Sequence, residues 1–359
     1  MQYIKQLDTL RAFAVILVII SHWFPKDHWV NFFPNGPIGV DIFFVLSGFL
    51  ITSILLKNRS IPDINRGRIM KTFYARRVLR IFPIYYLTIF ALLAFSDYTN
   101  TNIKSDFVYY LTYTSNFKFL MQGHWDGFLS PLWSLAVEEQ FYIIWPWLII
   151  YPRKKYLVYI IIAFILVGFS SRLLYNDSYS LLSRILTTSC FDAFGIGALL
   201  AWFIKFQEKY LEKFYAVVRI FGLILISIIV YGNIAYSYHY LTIIPGSTAN
   251  SILAIWLISY IYIHRESENK MFKFLFNSSI LIFIGKISYG LYLYHQIIRW
   301  LAGIVLNSQT IKSHEAIHGV MNQPYVLLTL MSLFLVMFSW LSYKFVEIPF
   351  LRCKRHFSL

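Results

Sequence analysis

Ten apolar runs, each close to the ~20 residues that cross the hydrocarbon core of a bilayer, fill most of this chain and fix what it can fold into. They lie near 7–24, 39–56, 79–96, 132–151, 156–173, 185–204, 216–234, 248–264, 280–305 and 324–346, with polar connections between all of them. No soluble arrangement hides so much apolar surface without aggregating. Hydrophobic residues make up 58% of the 359 positions and charged residues only 14%, against about a quarter charged in soluble domains. The expected fold is an all-α integral membrane protein of about ten transmembrane helices. The first run, Ala12 to Trp23, starts beside Arg11, contains His22 and has no small-residue cleavage site after it. It reads as a retained helix rather than a removed signal.

Charge sets the orientation. Residues 57–80 hold Lys57, Arg59, Arg66, Arg68, Lys71, Arg76, Arg77 and Arg80 against Asp63 alone, which makes that connection cytoplasmic by the positive-inside bias. Alternation then sends Arg153-Lys154-Lys155, the Lys205–Arg219 stretch, Arg265 to Lys273, and Arg352, Lys354 and Arg355 to the same side. The outer connections keep scattered charges, Lys26 with Asp27 or Arg172 with Asp177, and 232–248 has no Lys or Arg. Every connection obeys the bias when both termini are cytoplasmic. The net charge of +15 is therefore a membrane signature and not that of a nucleic-acid partner.

The longest connection, Asn100 to Ser130, carries a Tyr-rich Phe107–Tyr113 run expected to lie along the interface. No repeat, Gly-Ser linker or appended soluble domain is visible. The chain reads as a single membrane domain, 1–359, with a short basic cytoplasmic tail at 351–359. Its two cysteines, Cys190 and Cys353, argue against a disulfide framework or a cysteine metal site, and no metal is expected.

Ionisable residues within spans are costly and usually mark a cavity or pathway. Arg11 and His22 are eleven residues apart, three turns plus about 20°, so they share one helix face some ~16 Å apart along it. Arg11 belongs near the inner interface and His22 in the outer half. Lipid snorkelling by Arg11 and helix-end capping by His22 are the plain alternatives. Asp41 enters the second run near the level of His22, and Ser47 and Gly48 lie mid-span where helices can approach closely. In the fourth run Trp133 and Ser134 precede adjacent Glu138 and Glu139, which point about 100° apart. A carboxylate beside His22 would orient and charge an imidazole base; a structural pair with Arg or Tyr is the alternative. Arg76, Arg77 and Arg80 open the third run and, with Arg11, offer bidentate donors suited to phosphates, or to lipid headgroups. Later, Tyr289, Tyr292, Tyr294 and His295 form a polar-tipped stripe, either cavity lining or packing. Glu347, three residues after Lys344, is expected as an interfacial ion pair.

The chain resembles the acyltransferase-3 family of bacterial membrane acyltransferases, from Leu7 to about Pro349. The carriers, in order, are Leu7-Asp8-Thr9-Leu10-Arg11-Ala12 through His22, Gly39-Val40-Asp41-Ile42-Phe43-Phe44-Val45-Leu46-Ser47-Gly48-Phe49, Arg77-x-x-Arg80, Trp133-Ser134-Leu135-Ala136-Val137-Glu138-Glu139-Gln140-Phe141-Tyr142, and Ser288-Tyr289-Gly290-Leu291-Tyr292-Leu293-Tyr294-His295. The resemblance implies a bacterial inner-membrane enzyme with acetyl-CoA or another acyl-CoA as cytoplasmic co-substrate. It implies a carbohydrate acceptor such as O-antigen, exopolysaccharide or a lipid-linked saccharide. Some relatives carry an extracytoplasmic hydrolase-like domain. This chain, ending at Leu359, is expected to act alone or with a separate partner.

The expected roles follow. Arg11, Arg77, Arg80 and Arg76 hold the coenzyme phosphates, and the pantetheine arm reaches along the first helix towards His22. His22 is the general base, helped by Glu138 or Asp41, while Ser134, Trp133, Glu139, Tyr289, Tyr294 and His295 line the substrate path. A covalent acyl-enzyme through His22 or Ser134 stays open. The alternatives to an acyltransferase are a carrier or flippase for a lipid-linked sugar or small solute, and a membrane sensor. Against the carrier, no inverted repeat or matched pair of broken helices is visible.

Overall fold

A computed structural model describes residues 3–99, 101–174, 182–236, 246–309 and 323–359. Among these residues the chain is helical, with no strand. The long helices are α1 (Gln6–Trp23), α2 (Asn35–Arg59), α3 (Arg66–Ala94), α4 (Leu132–Ile150), α5 (Leu157–Leu174), α6 (Phe191–Phe206), α7 (Leu211–Tyr236) and α8 (Gly246–Ile263). A short α9 (Ser279–Lys286), then α10 (Ser288–Asn307) and α11 (Pro324–Ser342), complete the set. Asp177 and most of the 232–248 connection lie outside the described residues.

The expected apolar runs fall largely on helical residues, though 185–204 and 280–305 are each interrupted. Among the described residues, seven helical stretches are long and apolar enough to cross a membrane, or eight if one bent pair counts as a span. This is a multi-pass membrane protein. The expected 280–305 run is not one straight helix. The stretches Lys270–Lys286 and Ser288–Asn307 meet at 58°, beside Gly285 and Ser288, the residue pairing at which sharp kinks form. The helix α4 interrupts its apolar run with Glu138-Glu139-Gln140.

The core is built around α2, which packs against α1, α4, α6 and α8. Its contact with α6 is backbone-close: a Cβ on Gly48 would collide with the Phe194 carbonyl, and one on Gly197 with the Val45 carbonyl. Only small residues permit such an approach between membrane helices. On the other side α1 packs on α9 and α10. There Gly285 leaves room only for the Asp8 backbone, and the Thr9 hydroxyl donates to the Phe276 carbonyl at 2.9 Å.

The 100–130 connection is clamped rather than loose. Lys118, 5% exposed, lies 2.7 Å from Asp106 and 2.5 Å from Asp126. The Tyr110 hydroxyl donates to Asp126 at 2.6 Å, and burial together with that carboxylate raises its pKa well above the usual phenol range. The Tyr85 hydroxyl on α3 donates to the Tyr110 carbonyl at 2.8 Å, tying the connection down. At the far end, α11 passes into a π turn, Tyr343–Glu347, an irregularity often found at functional sites. The helix Ile348–Cys353 and the tight turn Lys354–His356 then fold against α3.

Candidate active site

The side chains facing inward from α1, α2, α3, α4 and α10 leave a cavity of about 520 Å³ between them. Its lining on α1 is Leu7, Asp8 and Arg11, spaced as one helical face should be, with Tyr3 and Ile4 from the segment just before the helix. Further up that face, Val15 and Val18 are fully buried, so the space ends there.

Besides Lys286, which also borders the cavity, the cations Arg11, Arg77 and Arg80 line one end. They are not equivalent. Arg11 is held by Asp8 at 2.5 Å, and Asp8 also accepts from the Tyr3 hydroxyl. Arg77 lies over the Tyr142 ring, 5.3 Å from its centroid. Arg80 makes no ion pair among the described residues. Midway, the Ser47 and Tyr142 hydroxyls both donate to one oxygen of Glu138. Glu139, 8% exposed, also borders the cavity, so both carboxylates face the same space despite their different directions.

At the opposite end the Ser134 and Tyr292 hydroxyls meet at 2.6 Å. Beyond them lies an imidazole pair. His295, fully buried, places Nδ1 2.6 Å from the Tyr292 carbonyl and Nε2 3.0 Å from Nδ1 of His22. The Trp23 indole donates to the His295 carbonyl at 3.1 Å. A carbonyl can only accept, so a neutral His295 carries its proton on Nδ1 and offers a lone pair at Nε2. His22 must then donate from Nδ1, which leaves its Nε2 as the basic nitrogen.

The expected site is thus partly assembled and partly redistributed. Arg11, Arg77, Arg80, Ser134, Glu138, Glu139 and Tyr289 share one cavity. The partner of His22 is His295 and not Glu138 or Asp41. Glu138 is engaged by Ser47 and Tyr142, while Asp41 accepts from Asn250 at 2.9 Å. Asp41 belongs to a second buried polar cluster on α5, α6 and α8. There Arg172 contacts Asp192 at 3.0 Å and the Thr248 hydroxyl donates to Asp192 at 2.5 Å. Three other expected residues leave the cavity. Trp133 packs edge-on against Phe44, Arg76 donates outward to the Phe357 carbonyl at 3.4 Å, and the Tyr294 hydroxyl pairs with Ser342 at 3.0 Å.

Glu347 also departs from expectation. It forms no ion pair with Lys344, whose ammonium lies over the Trp340 ring. Instead it is 5% exposed, borders the cavity and keeps Oε1 without a hydrogen bond. Sequence reasoning named Tyr292 only within the stripe that is either cavity lining or packing, gave Ser47 only a place at a close helix approach, and assigned no role to Tyr142. The Tyr292 signal was present: it lies about 60° from Tyr289 on the helical wheel, whereas Tyr294 lies about 140° away.

A family model described as an acyltransferase domain matches residues 4–344. The peptidoglycan O-acetyltransferase OatA of Listeria monocytogenes is 31% identical over 97% of this chain and 56% of its own length. A Staphylococcus aureus protein assigned as an O-acetyltransferase is 30% identical over 98% of this chain and 58% of its own. YrhL of Bacillus subtilis, assigned as a peptidoglycan O-acetyltransferase, is 46% identical over 40% of this chain and 23% of its own. The chain therefore spans little more than half the length of its full-coverage relatives. No solved structure matches it.

Proposed function

This chain belongs to the acyltransferase-3 family, and from that premise we propose that it moves an acyl group, acetyl being the expected one, from cytoplasmic acyl-CoA to a hydroxyl of a cell-envelope carbohydrate in the bacterial inner membrane. The names of OatA and YrhL make peptidoglycan, or a lipid-linked saccharide, the first acceptor to try.

The observation that carries this reading is the alignment of three features: a cationic cavity end, a cavity of about 520 Å³, and a base-competent imidazole just past the other end. Arg77 and Arg80 hold the coenzyme phosphates, with Arg11 a weaker contributor because Asp8 already engages it. The acyl end reaches Ser134 and Tyr292, one helical turn from His295. For transfer the Ser134–Tyr292 contact parts. His22 Nε2 removes the acceptor's hydroxyl proton as its oxygen forms the new bond to the thioester carbonyl. The tetrahedral intermediate then breaks its C–S bond, and the proton passes to the departing thiolate. General-base assistance of this kind is worth ~10²–10⁴-fold.

The test is transfer of radiolabelled acetyl from acetyl-CoA into envelope glycans by membranes holding the protein or its His22→Ala variant. Label should depend on the protein and vanish in the variant, which still folds. Full activity in His22→Ala would sink the role of the imidazole.

A further inference from the structure

The turn Lys354–His356 packs against α3, where the Arg76 guanidinium donates to the Phe357 carbonyl at 3.4 Å. Within this basic segment the side chains divide. Arg352 and Arg355 are exposed, whereas Lys354 is half-buried and turned inward, its ammonium within electrostatic reach of Arg76, Arg77, Arg80 and Glu347. Four cations thus gather at this lip, and of these only Arg80 and Lys354 act on the Glu347 carboxylate. None of the four has an ion-pair partner among the described residues. Like charges held together at the lip of a membrane protein repel one another and cost stability, unless a polyanion regularly occupies the space between them.

The four fall into two tiers. Arg77 and Arg80 border the cavity; Arg76 and Lys354 do not, and stand outside its rim. A second observation points to a ligand at the same place. Glu347 Oε1 and the Tyr289 hydroxyl, both bordering the cavity, are buried without a hydrogen-bond partner. Buried polar atoms in that state are costly, and a ligand with amide or hydroxyl groups would satisfy them.

We propose that Lys354, with Arg76, forms an outer phosphate subsite that reads the 3′-phosphate of the coenzyme, separate from the pyrophosphate held by Arg77 and Arg80. This rests on the acyl-CoA reading above. A coenzyme threaded thiol-first places its pyrophosphate at the cavity mouth and its ribose 3′-phosphate beyond, which matches the two tiers. The buried orphans face the pantetheine arm. The segment after the π turn is therefore a wall of the donor site and not merely an orientation signal.

The experiment is a titration of coenzyme A and 3′-dephospho-coenzyme A onto the full chain in phosphatidylcholine nanodiscs at low salt, with Lys354→Gln and Arg355→Gln. The wild type should prefer coenzyme A by about tenfold or more, as expected for a lost charge-assisted contact. Lys354→Gln should erase that preference while binding the dephospho form as before, and exposed Arg355→Gln should leave both affinities within about twofold. A preference that survives Lys354→Gln, or an equal weakening of both ligands, overturns the subsite. Failure of the wild type to bind either ligand removes the acyl-CoA reading itself, and the subsite with it. Anionic lipid headgroups offer the same phosphate chemistry. In phosphatidylglycerol nanodiscs a coenzyme subsite keeps its preference, and loss of that preference there assigns the cations to lipid.

Discussion

His295 Nε2 stands 3.0 Å from Nδ1 of His22, joining residues 273 positions apart in the chain. The contact fixes which nitrogen of His22 is basic, because the Tyr292 carbonyl fixes the tautomer of His295. Replacing His295 by Phe keeps a planar aromatic ring, somewhat larger, and removes both bonds. The turnover rate should fall ~10²-fold, a loss in the range of a misoriented general base. KM for acyl-CoA should hold steady, since the pair lies outside the cavity. His295→Gln, whose amide oxygen can accept from His22, should recover part of the loss. Equal loss in both variants would argue for a packing role alone.

The hydroxyl pair at the cavity end predicts a coupling defect. Tyr292→Phe removes the 2.6 Å contact to Ser134 and should raise acetyl-CoA hydrolysis without acceptor several-fold, read as free thiol release. Ser134→Ala should keep transfer within about tenfold of wild type, because its hydroxyl contacts the Pro131 carbonyl and Tyr292 and no base. Complete loss of transfer in Ser134→Ala would restore the acyl-serine route.

The cations should separate by their present partners. Arg80→Gln and Arg77→Gln should each raise KM for acetyl-CoA about tenfold, an effect that shrinks as salt rises. Arg11→Gln should raise it less, because Asp8 already compensates that charge. Initial rates across a donor series at two ionic strengths distinguish these patterns; a larger effect at Arg11 would contradict the assignment.

Where α2 crosses α6, added side chains have nowhere to go. Gly48→Val or Gly197→Val meets backbone carbonyls of the facing helix, and overpacking of this kind costs ~1–3 kcal/mol or more. Thermal unfolding in detergent should show a clear drop for each. An unchanged midpoint would mean that the helices separate freely.

Lys118 offers a test of the outer connection. Lys118→Met leaves the half-buried Asp106 and Asp126 facing each other without their cation, a change expected to cost ~1–3 kcal/mol. Protease nicking between residues 100 and 130 should accelerate sharply in the variant, and unaltered resistance would show that the ion cluster does not hold this segment.

Apolar runs announced the helices, because lipid demands length and hydropathy that leave a strong trace. Arg11, Arg77 and Arg80 were legible for the same reason: a charge in a span needs a cavity. Pairing was not. His22 and His295 come from helices far apart in sequence, and nothing local says which polar group will meet the imidazole. Asp41 stood at a suitable depth, yet it lies about 100° round the helix from Val40, which borders the cavity, and so it turns to Asn250. Periodicity would have exchanged Tyr294 for Tyr292. The break at Ile287 was hidden because both of its halves are apolar, and Glu347 was hidden because a π turn shifts the face that the α-helical repeat assigns.

The bend between α9 and α10 has a mechanical result. Below it, Gly285 bears on the Asp8 backbone; above it, His295 bonds His22 and accepts from Trp23. α1 is therefore fastened at both ends to one angled bracket, as a strut is pinned in a truss. A strut held at two points can neither slide along its length nor roll about it. The depth and aim of the imidazole are thus set once, when the protein folds, and under the proposed mechanism each substrate would meet a group already in position.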